Sequence, residues 1–185
     1  NDSDAELIIS NAAFADTLNQ IRADLTRVPP NRYVLIDAGN YSSHEGSSST
    51  GFIDYHALKS EAGSHEPANH QVRGADTFNI MYSSGTTGIP KGIVHTHAIR
   101  LAYATSFAAA FRLSPESITM HAGAIVFNGA FVDLMPTVFQ GATYILLSKF
   151  DPVDFIETIA REHVTHIMVV PAQIVAMLNA HNYDP

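Results

Sequence analysis

The sequence predicts an α/β fold, a parallel or mixed β-sheet flanked by helices. Two observations predict it. Short runs rich in Ile, Val, Leu and Tyr alternate with longer stretches that carry apolar residues at helical spacing. Capping and proline signals then mark where individual helices begin, most clearly at Asp151-Pro152, a capping carboxylate followed by proline in the first turn.

In chain order, residues 6–10 read as a strand, and Asn11 as the cap of a helix running to Leu25. Residues 33–37 form a second strand. Residues 37–51 are polar and rich in Ser and Gly, a loop composition. A short helix over 55–62 precedes another loop rich in His, Gly and Pro. The apolar run 78–82 is a strand leading into a Gly/Ser/Thr segment. Residues 96–112 carry Ala, Leu and Phe at helical spacing. A strand at 117–121, a helix over 131–139 around Pro136 and a strand at 143–147 follow. The helix after Asp151 places Phe155, Ile156, Ile159 and Ala160 on one face, with Glu157, Arg161 and Glu162 outward. Residues 166–170 are a strand, and Pro171 opens a last helix with Ile174, Met177 and Leu178 inward.

Composition narrows the function. A net charge of −8, with 10 scattered Lys and Arg against 18 Asp and Glu, argues against nucleic acid as a partner. Absence of cysteine removes disulfide and thiol chemistry and fits a reducing compartment, so a cytoplasmic location is expected. No apolar run approaches the ~18 residues of a spanning helix. The 10 histidines lack the ligand sets of zinc sites, and no metal-ligating residues are expected. No Gly-x-Ser-x-Gly elbow makes Ser83 or Ser84 a hydrolase nucleophile. Asp133 and Asp154 read as solvated or capping carboxylates.

The segment from Tyr82 to Gly92 carries four Ser/Thr hydroxyls, three glycines and Lys91. Glycines permit close backbone approach to a ligand, and successive N–H groups in such a turn make an anion-binding concavity. Hydroxyls add donors, and a lysine adds a mobile positive charge. Ser83, Ser84, Gly85, Thr86, Thr87, Gly88 and Lys91 are therefore candidate polyphosphate-binding residues, on a loop expected to lead from strand to helix. The pattern is neither a Walker A loop nor a dinucleotide fingerprint.

The order of these residues resembles the phosphate-binding signature of the adenylate-forming (AMP-binding) enzymes, Ser/Thr-Ser-Gly-Thr-Thr-Gly-x-Pro-Lys-Gly. Residues 92–97 resemble the family's lead into a helix, with His97 as the histidine of that segment. Gly141-Ala142-Thr143 and the segment from Val164 to Pro171 resemble two later landmarks. The resemblance implies activation of a carboxylic acid by ATP through an acyl-adenylate, with Mg2+ on the phosphates. Thioester formation with coenzyme A then follows, as in acyl-CoA synthetases of fatty-acid type. It also implies that residues 1–185 are an incomplete portion of the large N-terminal domain, with the loop at 82–92. The family's adenine, ribose and catalytic-lysine motifs and its small C-terminal domain are not recognisable. The catalytic residue therefore stays unassigned, and the piece is expected not to turn over alone and to self-associate.

Where many relatives carry Pro-x-x-His beside the acyl pocket, this sequence has Ala124 and Phe127, so that histidine's role does not transfer. Phe127, Asn128 and Phe131 either line an apolar acyl tunnel or form a strand end and a core helix. Two other functions stay open. One is a peptide-synthetase adenylation domain that passes an amino acid to a carrier protein, an option Asp133 keeps alive. The other is a nucleotide-binding module without catalysis.

Overall fold

The computed structural model describes residues 2–37, 51–66, 71–84 and 88–184. The chain divides into two compact units, Asn1–His70 and Gln71–Pro185.

In the first unit, strand β1 (Ile8–Ser10) is followed by a 3-10 turn, Ala12–Phe14, capped by Asn11, whose side chain accepts from the Ala13 amide at 3.1 Å. Helix α1 (Ala15–Ile21) ends in a second 3-10 turn, so the single predicted helix has tightened ends. Strands β2 (Tyr33–Leu35) and β3 (Ile53–Asp54) complete a parallel sheet in the order β1-β2-β3. The central strand is buried at every position, as a strand covered on both faces must be. Asp54 caps helix α2 (Tyr55–Glu61) through the amides of His56 and Ala57. Arg22 lies over the Tyr33 ring at 4.1 Å and the Phe52 ring at 4.7 Å.

The second unit opens with an antiparallel hairpin, β4 (Thr77–Ser83) and β5 (Lys91–Thr96). Helix α3 (His97–Phe111) follows directly, its amide at Ile99 capped by the Thr96 hydroxyl. Strand β6 (Ile118–Ala122), helix α4 (Asn128–Gln140), strand β7 (Thr143–Leu147), helix α5 (Pro152–Glu162) and strand β8 (His166–Ile167) make β–α–β crossovers. Their parallel sheet has the order β7-β6-β8, and helix α6 (Pro171–Leu178) closes the described chain. Its core gathers Met120 and Ala122 of β6, Phe155 of α5 and Met177 of α6. Among the described residues no helix is long and apolar enough to cross a membrane.

The predicted α/β class holds, with parallel and antiparallel pairing, but the strands among the described residues are distributed over three sheets. Four local expectations are corrected. Residues 91–96 form a strand, so the glycine-rich segment connects two strands of a hairpin and not a strand to a helix. Helix α4 begins at Asn128 and runs through Pro136, where the Thr137 hydroxyl donates to the Asp133 carbonyl in the turn that proline weakens. Strand β8 stops at Ile167; Val170 is extended before Pro171, as residues preceding proline are, and already caps α6. On α6 only Met177 is buried, while Ile174 and Leu178 are 43% and 52% exposed.

Candidate functional site

Hairpin register decides where the glycine-rich segment sits. Ser83 pairs with Lys91 and Tyr82 with Gly92, so residues 84–90 form the connection at one end of β4 and β5. Space is tight opposite Tyr82: a Cβ on Gly92 would lie 3.1 Å from both the Tyr82 ring and the Ile80 side chain. Gly88 takes a positive φ of 79°, a conformation that favours glycine. Ser83, Ser84 and Lys91 are exposed. Gly85, Thr86 and Thr87 lie outside the described residues.

Across from the hairpin, the segment leading into α4 approaches the end of β4. A cleft of about 220 Å³ is lined by Met81, Ser83 and Ser84 on one side and by Val126, Phe127 and Asn128 on the other. Two predicted groups of residues therefore meet. Phe127, 68% exposed, also borders a second cavity of about 320 Å³, lined by Ala122, Gly129, Met168 and Val170 among others. Phe131 faces inward instead. It packs edge-on against Phe78, with ring centroids 6.4 Å apart, and lies 4.2 Å from the Arg100 guanidinium.

Arg100 escaped the sequence reading. It is 1% exposed, on the face of α3 turned toward β4 and α4. Its Nε and Nη2 both donate to Asn79 Oδ1, at 3.1 and 3.0 Å, and its Nη1 donates to Asn128 Oδ1 at 2.9 Å. Asn128 Nδ2 donates in turn to the Tyr103 hydroxyl at 2.9 Å. A lone arginine in the apolar run from His97 to Phe111, with no acid within a helical turn, was the available signal. Burial, and secondarily the Arg100 charge, hold the His95 imidazole below its usual range.

Asp133 corrects another expectation. The helix turns it inward, where it is 6% exposed, and burial pushes its carboxyl up to about 6. It borders a cavity of about 300 Å³ with Thr119, Val132, His166 and Met168, and the Tyr144 hydroxyl approaches its Oδ1 at 3.5 Å. Asp154 is exposed in the first turn of α5, as expected. Among the described residues no group of three or more His, Asp or Glu side chains is arranged to hold a metal.

Comparison with known proteins follows the same lines. The chain belongs to the AMP-binding enzyme family, matching it over residues 1–185. It is 34% identical over 109 residues to the medium/long-chain-fatty-acid–CoA ligase FadD8 of Mycobacterium tuberculosis, covering 55% of this chain and 18% of that protein. It is 27% identical over 198 residues to 4-coumarate–CoA ligase 2 of Solanum tuberosum, covering 98% of this chain and 32% of that protein. The inhibitor-bound N-terminal domain of FACL13 from Mycobacterium tuberculosis superposes with a TM-score of 0.75 at 26% identity, over 97% of this chain and 41% of that one. The chain therefore spans well under half the length of these relatives.

Proposed function

We propose that this chain is the pyrophosphate-side portion of an acid–thiol ligase. In this reading the longer enzyme activates a carboxylic acid with ATP, releases pyrophosphate, and passes the acyl group from AMP to coenzyme A. The observation that carries it is the convergence of Ser83 and Ser84 with Phe127 and Asn128 on one cleft, with Lys91 paired to Ser83 at its hairpin. Hydroxyls and an ammonium at the mouth suit the β- and γ-phosphates, and the apolar side suits the acyl chain. The hydroxyls of Thr86 and Thr87 and the amides of Gly85 and Gly88 complete the proposed phosphate cradle.

Such a displacement is accelerated mainly by positioning and charge neutralisation. Lys91 and the hydroxyls hold the departing pyrophosphate, and Mg2+, when bound, neutralises charge on the phosphate oxygens. The fatty-acid reading draws support from the apolar wall of Val126, Phe127, Gly129 and Met168 and from the likeness to FadD8. The domain is read as part of a larger N-terminal domain, so the remaining substrate groups are held by other segments and the chain alone binds without turning over.

The test is ATP–pyrophosphate exchange by the full-length polypeptide carrying this chain, with a panel of fatty, aryl and amino acids. Exchange dependent on a fatty acid is the expected result. Dependence on an amino acid would make it an adenylation domain for a carrier protein, and no exchange with any acid would leave a nucleotide-binding module.

A further inference from the structure

The Arg100 guanidinium is buried among neutral groups. Its partners are the amide oxygens of Asn79 and Asn128, the Met81 sulfur at 3.5 Å, and the rings of Phe131 and Tyr103 at 4.2 and 5.1 Å. None of the ion pairs among the described residues includes it. A buried charge is ordinarily paired, because removing it from water costs several kcal/mol. Arginine keeps its charge where lysine would lose it, and its fork suits two amide oxygens on different elements. Retaining such a charge unpaired, at that cost to stability, points to a use for its field.

The position of the group indicates the use. Met81 and Asn128, which it touches, both line the cleft shared with Ser83 and Ser84. The guanidinium itself does not reach that surface. It acts behind the wall, fixing Asn128 at the start of α4, and leaves its charge to be balanced from the cleft. Field from a charge in a poorly polarisable interior reaches further than from one in water.

We propose that Arg100 is a positioning residue whose uncompensated charge makes this cleft selective for anions, with a polyphosphate as the counter-charge. This rests on the reading of the cleft as a polyphosphate site. A carboxylate at Asn79 would satisfy the same two donors and supply the missing counter-charge within the interior.

Asn79→Asp therefore separates the two roles. Asn79 does not line the cleft, and the substitution supplies a counter-ion in place while keeping an oxygen acceptor for both donors. The probe is inorganic pyrophosphate, titrated calorimetrically into wild-type protein, Asn79→Asp, Arg100→Lys, Arg100→Met and Lys91→Ala, with thermal melts alongside. Asn79→Asp should melt at or above the wild-type temperature yet bind pyrophosphate about tenfold more weakly. Arg100→Met and Arg100→Lys should each lose about tenfold, because neither keeps a charge in that interior. Wild-type affinity in Asn79→Asp or in Arg100→Met, or no binding by the wild type, would overturn the proposal. If Asn79→Asp fails to fold, Arg100→Met decides. Loss in Lys91→Ala with none in Asn79→Asp leaves the phosphate-loop reading standing and sinks this one; the reverse removes Lys91 from the site and leaves the cleft's selectivity for anions with Arg100.

Discussion

Ser83 stands directly opposite Lys91 in the antiparallel register that closes the β4–β5 hairpin. Facing residues in such a ladder have Cβ atoms about 4.5–5.5 Å apart. Two side chains eight positions apart in sequence are thereby held at the same end of one rigid element. An ammonium and a hydroxyl arrive together where the strand meets the cleft. The loop between them does not have to order both at once, and this lowers the entropic cost of gathering phosphate ligands.

Lys91→Ala should therefore weaken pyrophosphate release chemistry without unfolding the hairpin. Loss of one charge-assisted phosphate contact is worth about 1.5–3 kcal/mol. In the full-length enzyme, ATP–pyrophosphate exchange should fall by at least about tenfold. Unchanged exchange would remove Lys91 from the site.

Gly129 offers a test of acyl selection. It lies in the first turn of α4 and borders the second cavity, where an added Cβ would meet only the end of the flexible Met168 side chain, at 3.5 Å. Gly129→Leu should fold, fill part of that cavity and shift preference toward shorter acids. One methylene is worth roughly 1–3 kcal/mol of discrimination in an apolar pocket. The Michaelis constant for ATP should scarcely change. Weaker ATP use with unaltered acid preference would mean that these residues are only core.

Asp151 carries the start of α5. Its Oδ1 accepts from the amides of Val153 and Asp154 at 3.0 and 3.1 Å, and Pro152 supplies the preset backbone of the first turn. Asp151→Ala should cost about 1 kcal/mol in urea unfolding, with Asp151→Asn recovering most of it. Equal stability of all three proteins would show that the cap contributes nothing.

What could be read from the residues divides along the range of the interaction. Helices α3 and α5 were legible because the helical spacing of their apolar residues and, for α5, the Asp151 cap are local. Strand β5 was not, because Lys91 and Gly92 look like loop until β4 is present to pair with them. At the site, sequence order alone gathered the Ser83–Ser84 and Lys91 cluster. Its meeting with Phe127 and Asn128 depends on where α4 lies against β4. Phe131 was grouped with Phe127, yet one helical turn sends it inward against Phe78 and Arg100. The burial of Arg100 and of Asp133 was missed for a common reason. Charged residues on a helix default to the solvent side, and only non-local packing reverses that expectation.

Burial of Asp133 makes stability depend on pH with a sign opposite to that of a paired carboxylate. Its pKa is raised from 3.8 to about 6, chiefly by desolvation, and hydrogen bonds from the Leu134 and Asp133 backbone and from the Tyr144 hydroxyl only partly offset this. His166 borders the same cavity, but its ring nitrogens are already engaged by the Thr165 hydroxyl and the Phe111 carbonyl. Between those two pH values the folded chain holds a proton that the unfolded chain has released. Stability from this group is therefore fully present below pH 3.8 and is lost as the pH rises through about 6. At neutral pH the buried carboxylate costs about 3 kcal/mol, an upper figure for a side chain that can relax toward solvent. Asp133→Asn keeps an acceptor for Tyr144 and removes the charge. It should be the more stable protein at pH 7, by up to about 3 kcal/mol, and should converge with wild type near pH 4. Urea unfolding of both proteins from pH 4 to pH 7 reads this directly. A constant difference across that range would mean that Asp133 is not the titrating group, and a less stable variant at pH 7 would mean that its carboxylate has a partner that offsets its burial.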